Sequence, residues 1–313
     1  MTHAFVFPGQ GSQAVGMGNA LSAAFEPARA VFEEVDDALD QKLSHLMWDG
    51  PIEDLTLTEN AQPAIMASSL AVVRVLKDQF GVDVADAGFV AGHSLGEYSA
   101  LAAAGSLSIA DAARLLKLRG KAMQKAVPVG EGAMAALIGA DMDTAEAAAR
   151  AGTAFGACQV ANDNAPGQIV ISGATAAVDA AIAKAQEMGV KRAMTLPVSA
   201  PFHCALMQPA ADAMAEALAK AEFAAPCVPV VVNVQARPES DPAILRKLLV
   251  EQVTGRVRWR ESVEWMAGEG GVDTFVEAGG KVLTGMLKRT APDARGIALI
   301  TPDDLEAFAA SLT

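Results

Sequence analysis

The amino-acid sequence predicts an α/β fold with a mostly parallel sheet and a small inserted unit of different character. Three observations carry this. Short apolar strand signals alternate with helical patterns over the first 127 residues. The pattern then changes at Pro128-Val129-Gly130 to a β-α-β-β-α-β order. Strand signals of the first kind resume at Val228–Val232 and Thr274–Val276. The expected partition is a large unit of residues 1–127 and 202–313, and a ferredoxin-like unit of residues 128–201 between its halves. A cleft between two such units is a natural ligand site.

The elements follow in order. Ala4-Phe5-Val6-Phe7 reads as a buried strand, followed by the turn Pro8–Gln13. Helical periodicity covers Leu21–Leu39, Gln41–Trp48 and Ala61–Phe80. Gly88–Ala91 is a second apolar strand, and Leu95–Ala104 is rich in small helix formers. Ser108 with Asp111 forms a Ser-x-x-Asp cap for a helix running to Ala126. In the inserted unit, Ala133–Ile138, Phe155–Val160, Gln168–Ser172 and Arg192–Val198 read as strands. Asp143–Arg150 and Ala174–Met188 read as its helices, and Ala161–Gly167 as the join between its middle strands.

Composition bounds the function. The chain has 313 residues, 52% hydrophobic and 19% charged, which is globular rather than disordered. Its net charge of −13 argues against general affinity for nucleic acid or an anionic membrane. There is no charge-free apolar run of membrane-spanning length and no basic segment before an apolar N-terminal stretch, so a soluble, cytoplasmic protein is expected. Cys158, Cys204 and Cys227 are an odd number without metal-type spacing, which fits a reducing compartment and no metal site.

The chemistry concentrates at Gly92-His93-Ser94-Leu95-Gly96, between a strand and a helix. Gly-x-Ser-x-Gly in that context is a nucleophile elbow: small neighbours permit a sharp turn, and the helix start offers free N–H groups to an oxyanion. A serine nucleophile needs a base, most often histidine. Of the four histidines, His3 is expected before the first strand and exposed, and His45 lies in a helical stretch without nearby chemistry. His93 points away from Ser94 if the turn is extended. His203 remains, fixed by two prolines in Pro197–Cys204 where the inserted unit returns to the large one. Cys204 reads as a small buried thiol.

Arg119 falls on the apolar side of its helix, beside Leu115, Leu116, Ala122 and Met123. A buried guanidinium needs an anionic partner. Two readings stay open: an internal salt bridge or snorkelling side chain, and a clamp for a substrate carboxylate. Gly9-Gln10-Gly11-Ser12-Gln13-Ala14 matches a dinucleotide fingerprint formally, but Glu33 and Glu34 sit in a helix rather than at a second strand's end. A turn at a strand's C-terminal end, offering the Gln10 N–H to an oxyanion, is the better reading.

Assembled, FVFPGQGSQ (Phe5–Gln13), ENAQPA (Glu59–Ala64), GHSLGEYSAL (Gly92–Leu101), LRGKAMQ (Leu118–Gln124), GAMAALIG (Gly132–Gly139), ANDNAPGQIVISG (Ala161–Gly173), SAPFHCALM (Ser199–Met207) and KVLTGMLKR (Lys281–Arg289) resemble the malonyl-CoA:acyl carrier protein transacylase family and, more broadly, polyketide synthase acyltransferase domains. The segments span almost the whole chain in the family's order.

The resemblance implies a hydrolase-like α/β core with a ferredoxin-like insertion, and malonyl transfer from malonyl-CoA to acyl carrier protein in fatty acid biosynthesis. It implies Ser94 as the acyl-carrying nucleophile, His203 as its base, and the N–H groups of Gln10 and Leu95 as the oxyanion hole. Arg119 would hold the malonyl carboxylate, the Gln252 carbonyl would orient His203, and Phe202 would crowd a methyl-branched acyl group. Coenzyme A enters only as part of the substrate, with no permanently bound cofactor, and a monomer is expected.

Two departures stand out: the turn at Gly279-Gly280 is one residue short, and Val234–Arg237 is untypical. For carrier docking the candidates are Lys191, Arg192, Lys288 and Arg289, with Arg256, Arg258 and Arg260 behind them; ordinary solvated charge is the alternative. A serine esterase or thioesterase with water as acceptor, and an inactive acyltransferase-like scaffold, are the rival functions.

Overall fold

The computed structural model describes residues 2–198 and 200–312. Met1, Ser199 and Thr313, which fall within the expected partition and, for Ser199, within the motif before His203, lie outside the described residues. Among the described residues there are ten strands: β1 (His3–Phe7), β2 (Phe89–Gly92), β3 (Gly132–Ile138), β4 (Cys158–Ala165), β5 (Gln168–Ala174), β6 (Arg192–Thr195), β7 (Val230–Val232), β8 (Arg237–Glu239), β9 (Thr274–Ala278) and β10 (Arg295–Leu299).

They form two sheets. The six-stranded sheet has the order β10-β9-β1-β2-β7-β8 and is parallel except for the edge pair β7·β8. Its central strands read as continuous apolar runs because helices cover both faces. Alternation sorts the β1 side chains: Phe5 and Phe7 join the core around Ile65 and Leu70, and Ala4 and Val6 join the core around Trp259 and Met266. The helix Thr58–Phe80 runs through the first core, most of its residues buried.

The second sheet, order β4-β5-β3-β6, is wholly antiparallel, with helices Met142–Gly152 and Thr175–Glu187 packed against it. This is the ferredoxin-like arrangement that the β-α-β-β-α-β order predicts. No helix among the described residues is long and apolar enough to cross a membrane.

The structure differs from the sequence reading in several places. The helical stretch Leu21–Leu39 is two helices, Asn19–Ala24 and Glu26–Leu39, parted at Phe25, which is extended. Pro27 has no N–H to carry the first helix's ladder forward. Phe155 lies in a 3₁₀ turn, and β4 starts later, at Cys158. It then runs through Asn162, Asp163 and Asn164 to Ala165, so the expected seven-residue join shrinks to Pro166-Gly167. His3 is inside β1 and half-buried, its ring edge-on to Phe5 at 5.5 Å, because the first strand begins one residue early. The edge strands β8 and β10 carried too little apolar pattern to be expected.

Candidate active site

Ser94 follows the C-terminal end of β2 and precedes the helix Gly96–Ala103. Its φ is 53°, in the left-handed region that non-glycine residues rarely adopt. The flanking glycines are required by contact. A Cβ on Gly92 would strike the Gly96 carbonyl, and one on Gly96 would strike the Phe7 carbonyl oxygen. Two amide side chains pin the strained serine: Ser94 N–H donates to Asn233 Oδ1 at 2.7 Å, and the Ser94 carbonyl accepts from Gln252 Nε2 at 3.0 Å.

His203 also sits at positive φ, 57°, and is 3% exposed. Its Nε2 lies 2.8 Å from Ser94 Oγ, and its Nδ1 lies 2.9 Å from the Gln252 backbone carbonyl. A carbonyl only accepts, so Nδ1 carries the hydrogen and Nε2 is left to receive the serine proton. Burial, assisted by the Arg119 charge, lowers the His203 pKa to about 3. The imidazole is therefore neutral, the form a general base requires.

Arg119 is 1% exposed. Its Nη1 donates to Gln62 Oε1 at 2.8 Å, and its Nη2 donates to Gln252 Oε1 at 2.8 Å and to Ser94 Oγ at 3.1 Å. Among the described residues no carboxylate lies within ion-pair distance of it, so the internal salt bridge is absent. Burial lowers its pKa from the usual arginine value. A guanidinium held only by neutral acceptors keeps its charge available to an incoming anion.

These groups open into a cleft of about 420 Å³ between the two sheets. Gln10, Ser94, Leu95 and Arg119 line it from one side, and Met134, Asn162 and Asn164 from the other. Phe202 is 8% exposed and also lines it. Among the described residues neither the Gln10 nor the Leu95 N–H has an acceptor, so both are free to donate. Together the arrangement offers a nucleophile, a neutral base, two free N–H donors and an unneutralised cation in one partly closed space.

The structure thus brings together Ser94, His203, Arg119 and Gln252, with Gln10 and Leu95 on the same cleft. It leaves the docking candidates elsewhere. Lys191 and Arg192 are exposed at the start of β6, which leads into the cleft-lining Leu196–Val198. Lys288 and Arg289 end the helix Val282–Thr290. That helix leaves the C-terminal end of β9 and returns to the start of β10. Neither of these two side chains lines the cleft. Arg256, Arg258 and Arg260 are paired with Glu146, Glu261 and Asp163. Cys204 is fully buried, donates to the Pro201 carbonyl and does not line the cleft.

Several site residues were missed from sequence. His93 lines the cleft with Nε2 2.8 Å from Asn164 Oδ1. Gln62 holds Arg119, and its Nε2 donates to Thr58, which in turn donates to Gln10 Oε1. Asn233 directly follows β7, where the rule that parallel sheets place ligands at strand C-termini could have found it. Glu97 has no such signal.

The acyl transferase domain family matches residues 4–300. The malonyl CoA-acyl carrier protein transacylase of Escherichia coli K12 is 47% identical over 305 residues, covering 97% of each chain. The crystal structure of the acyl-carrier-protein-S-malonyltransferase of Bartonella henselae superposes with a TM-score of 0.97 at 55% identity, covering 100% of this chain and 99% of that one. A malonyl-transacylase solved in complex with its type II PKS acyl-carrier protein superposes with a TM-score of 0.95 at 41% identity, covering 99% of this chain and all of the other. With near-complete coverage at this identity, the chain belongs to the acyl transferase family, among the malonyl CoA-acyl carrier protein transacylases.

Proposed function

We propose that the protein transfers a malonyl group from malonyl-CoA to the phosphopantetheine thiol of an acyl carrier protein, through a malonyl ester on Ser94, in fatty acid biosynthesis. The observation that carries this is the meeting of His203 Nε2 and Arg119 Nη2 on one serine oxygen, at 2.8 and 3.1 Å. The first prepares a nucleophile. The second sets a buried positive charge where the carboxylate of a short acid ester would lie, two bonds beyond its carbonyl carbon.

In this reading His203 takes the Ser94 proton as Oγ attacks the thioester carbon, and the Gln10 and Leu95 N–H groups hold the tetrahedral oxyanion. The carbon–sulfur bond breaks, and the imidazolium returns its proton to the departing coenzyme A sulfur. The ester waits with its carboxylate on Arg119. The carrier thiol then gives its proton to His203, attacks the ester, and Ser94 leaves with that proton. The Gln252 carbonyl keeps Nδ1 protonated throughout.

The reading assigns no resident cofactor, coenzyme A entering with the substrate. It takes the working form as a cytoplasmic monomer, on the ground that one chain supplies every group named. Lys191, Arg192, Lys288 and Arg289 are the carrier-docking residues in this scheme, the first two at the start of the strand that leads into the cleft. Incubation with malonyl-CoA followed by intact-mass measurement tests it. A malonyl adduct absent from Ser94→Ala and discharged by holo acyl carrier protein is expected. Turnover to water without discharge to carrier would make the protein a hydrolase, and no adduct at all would overturn the scheme.

A further inference from the structure

The Glu97 side chain is 1% exposed, one turn of helix beyond Ser94, and touches neither the cleft nor the nucleophile. Its Oε2 accepts from the Asn233 backbone N–H at 2.8 Å and from Gln252 Nε2 at 3.1 Å. Among the described residues its Oε1 has no hydrogen-bond partner. Burying a carboxyl group this way is costly. The burden falls on the carboxyl itself, and burial raises its pKa to about 7. Nothing in the transfer chemistry above uses it.

Its neighbours explain what it does. Gln252 is the hub of the site: its backbone carbonyl faces His203, its Oε1 receives Arg119, and its Nε2 donates to the Ser94 carbonyl. Only one orientation of that amide works, since the reverse would press an NH₂ group against a guanidinium, donor against donor. An acceptor at Glu97 Oε2 fixes the choice by demanding Nε2 on its side. Asn233, whose backbone N–H the same oxygen holds, presents Oδ1 to the Ser94 N–H and donates through Nδ2 to the Gly92 carbonyl at 2.6 Å. One carboxyl oxygen thus anchors both amides that pin the left-handed serine.

We infer that Glu97 is a positioning residue: its Oε2 sets the orientation of the Gln252 amide and the placement of Asn233, and through them the aim of the Ser94 hydroxyl, the His203 ring and the Arg119 guanidinium. Oε2 accepts whether the acid is ionised or carries a proton on Oε1, so the role is one of acceptor geometry. This deepens the acyl-transfer reading and, for the Arg119 part, rests on it.

The test compares Glu97→Met, which keeps length and volume but removes both acceptors, with Glu97→Gln, which restores one. A serine-directed fluorophosphonate reports on Ser94 without involving any acyl substrate, as Oγ displaces fluoride from phosphorus and passes its proton to His203. In Glu97→Met the saturating labelling rate should fall at least tenfold per folded molecule with the half-saturation concentration unchanged. The ratio of malonyl to acetyl loading should fall as well, and Glu97→Gln should recover the labelling rate to within about threefold, because Met removes and Gln restores the oxygen that accepts both hydrogen bonds. A purely structural role lowers the melting temperature and leaves rate per folded molecule and acyl ratio untouched; that result overturns the inference, as does a Gln variant as slow as Met. If Glu97→Met does not fold, Gln252→Met takes its place, and wild-type labelling in that variant overturns the relay. Failure of the acyl-transfer reading is separately visible, as absence of a malonyl adduct in the unmodified protein.

Discussion

Arg119 and Arg260 are both drawn into the molecule, and they are handled in opposite ways. Arg260 joins the two sheets' layers: its Nε and Nη2 reach Asp163 Oδ2 at 2.9 and 2.7 Å, and its Nη1 reaches Glu264 at 2.8 Å. Those hydrogen bonds raise its pKa above the usual arginine value. Arg119 is more deeply buried, yet its partners are two amide oxygens and a hydroxyl. The titratable neighbours Glu97, Tyr98 and His203 are all shifted by burial toward their neutral forms. Arg260 has spent its charge on the fold. Arg119 has not, and a cation left unneutralised at a nucleophile marks a place for an anionic substrate.

Removing each arginine should therefore break different things. Arg119→Ala should lower malonyl loading by about 100- to 1,000-fold while acetyl loading falls far less, since a buried ion pair with substrate is worth roughly 3–4 kcal/mol. Its melting temperature should change little, because no buried carboxylate is orphaned. Mass-resolved competition between malonyl-CoA and acetyl-CoA checks the first part, and full malonyl preference in the variant would sink the contrast. Arg260→Ala strands Asp163, 1% exposed, and should cost about 3 kcal/mol in urea unfolding with the acyl preference intact.

The two arginines also show what a sequence can yield. Arg119 on the apolar side of a regular helix was legible from spacing alone, and so was the strained elbow, whose glycines stand at fixed offsets from Ser94. The two-sheet plan was legible because strand and helix periods differ. The partner of Arg260 was not: Asp163 lay in a polar stretch read as a loop, and only the pairing with β5 turns it into a strand. The acceptors around Arg119 come from three distant segments at Gln62, Ser94 and Gln252, and long-range register leaves no local pattern. Glu97, inside a plain helical run, has no local pattern that marks its role.

A smaller effect tests the neutral neighbourhood of Arg119. For His203, with a folded pKa of about 3 against 6.5, the unfolded chain binds more protons between those values, so its contribution to stability rises with pH there. For Glu97, raised to about 7 from 4.5, the folded chain holds the proton, so its contribution falls with pH over that range. Between pH 4.5 and 6.5 the two oppose each other. Glu97→Gln should leave the histidine slope exposed and lose stability on acidification by up to about 1.4 kcal/mol per pH unit more than the unmodified protein. His203→Gln should shift the other way. Urea unfolding at pH 5 and 6.5 checks both, and parallel curves for all three proteins would show that neither group is held neutral by the fold.

The smallest expected effect lies at the surface, where the same contrast between spent and unspent charge recurs. Arg256 and Arg258 each have a glutamate partner, whereas among the described residues Lys191 and Arg192 have no carboxylate within ion-pair distance. Acyl carrier proteins are acidic and this chain carries a net charge of −13, so approach must be guided by local cations left free. Reversing both, Lys191→Glu with Arg192→Glu, should lower the rate of malonyl discharge to holo acyl carrier protein by about three- to tenfold, since exposed rim charges act mainly on association. Loading from malonyl-CoA should be unaffected, because neither side chain lines the cleft. Added salt should narrow the difference, as screening weakens an exposed contact and leaves the buried Arg119 pairing largely intact. A discharge rate that matches the unmodified protein at low salt would place docking on another face. Loss of loading as well would mean that the substitutions reach the cleft through β6.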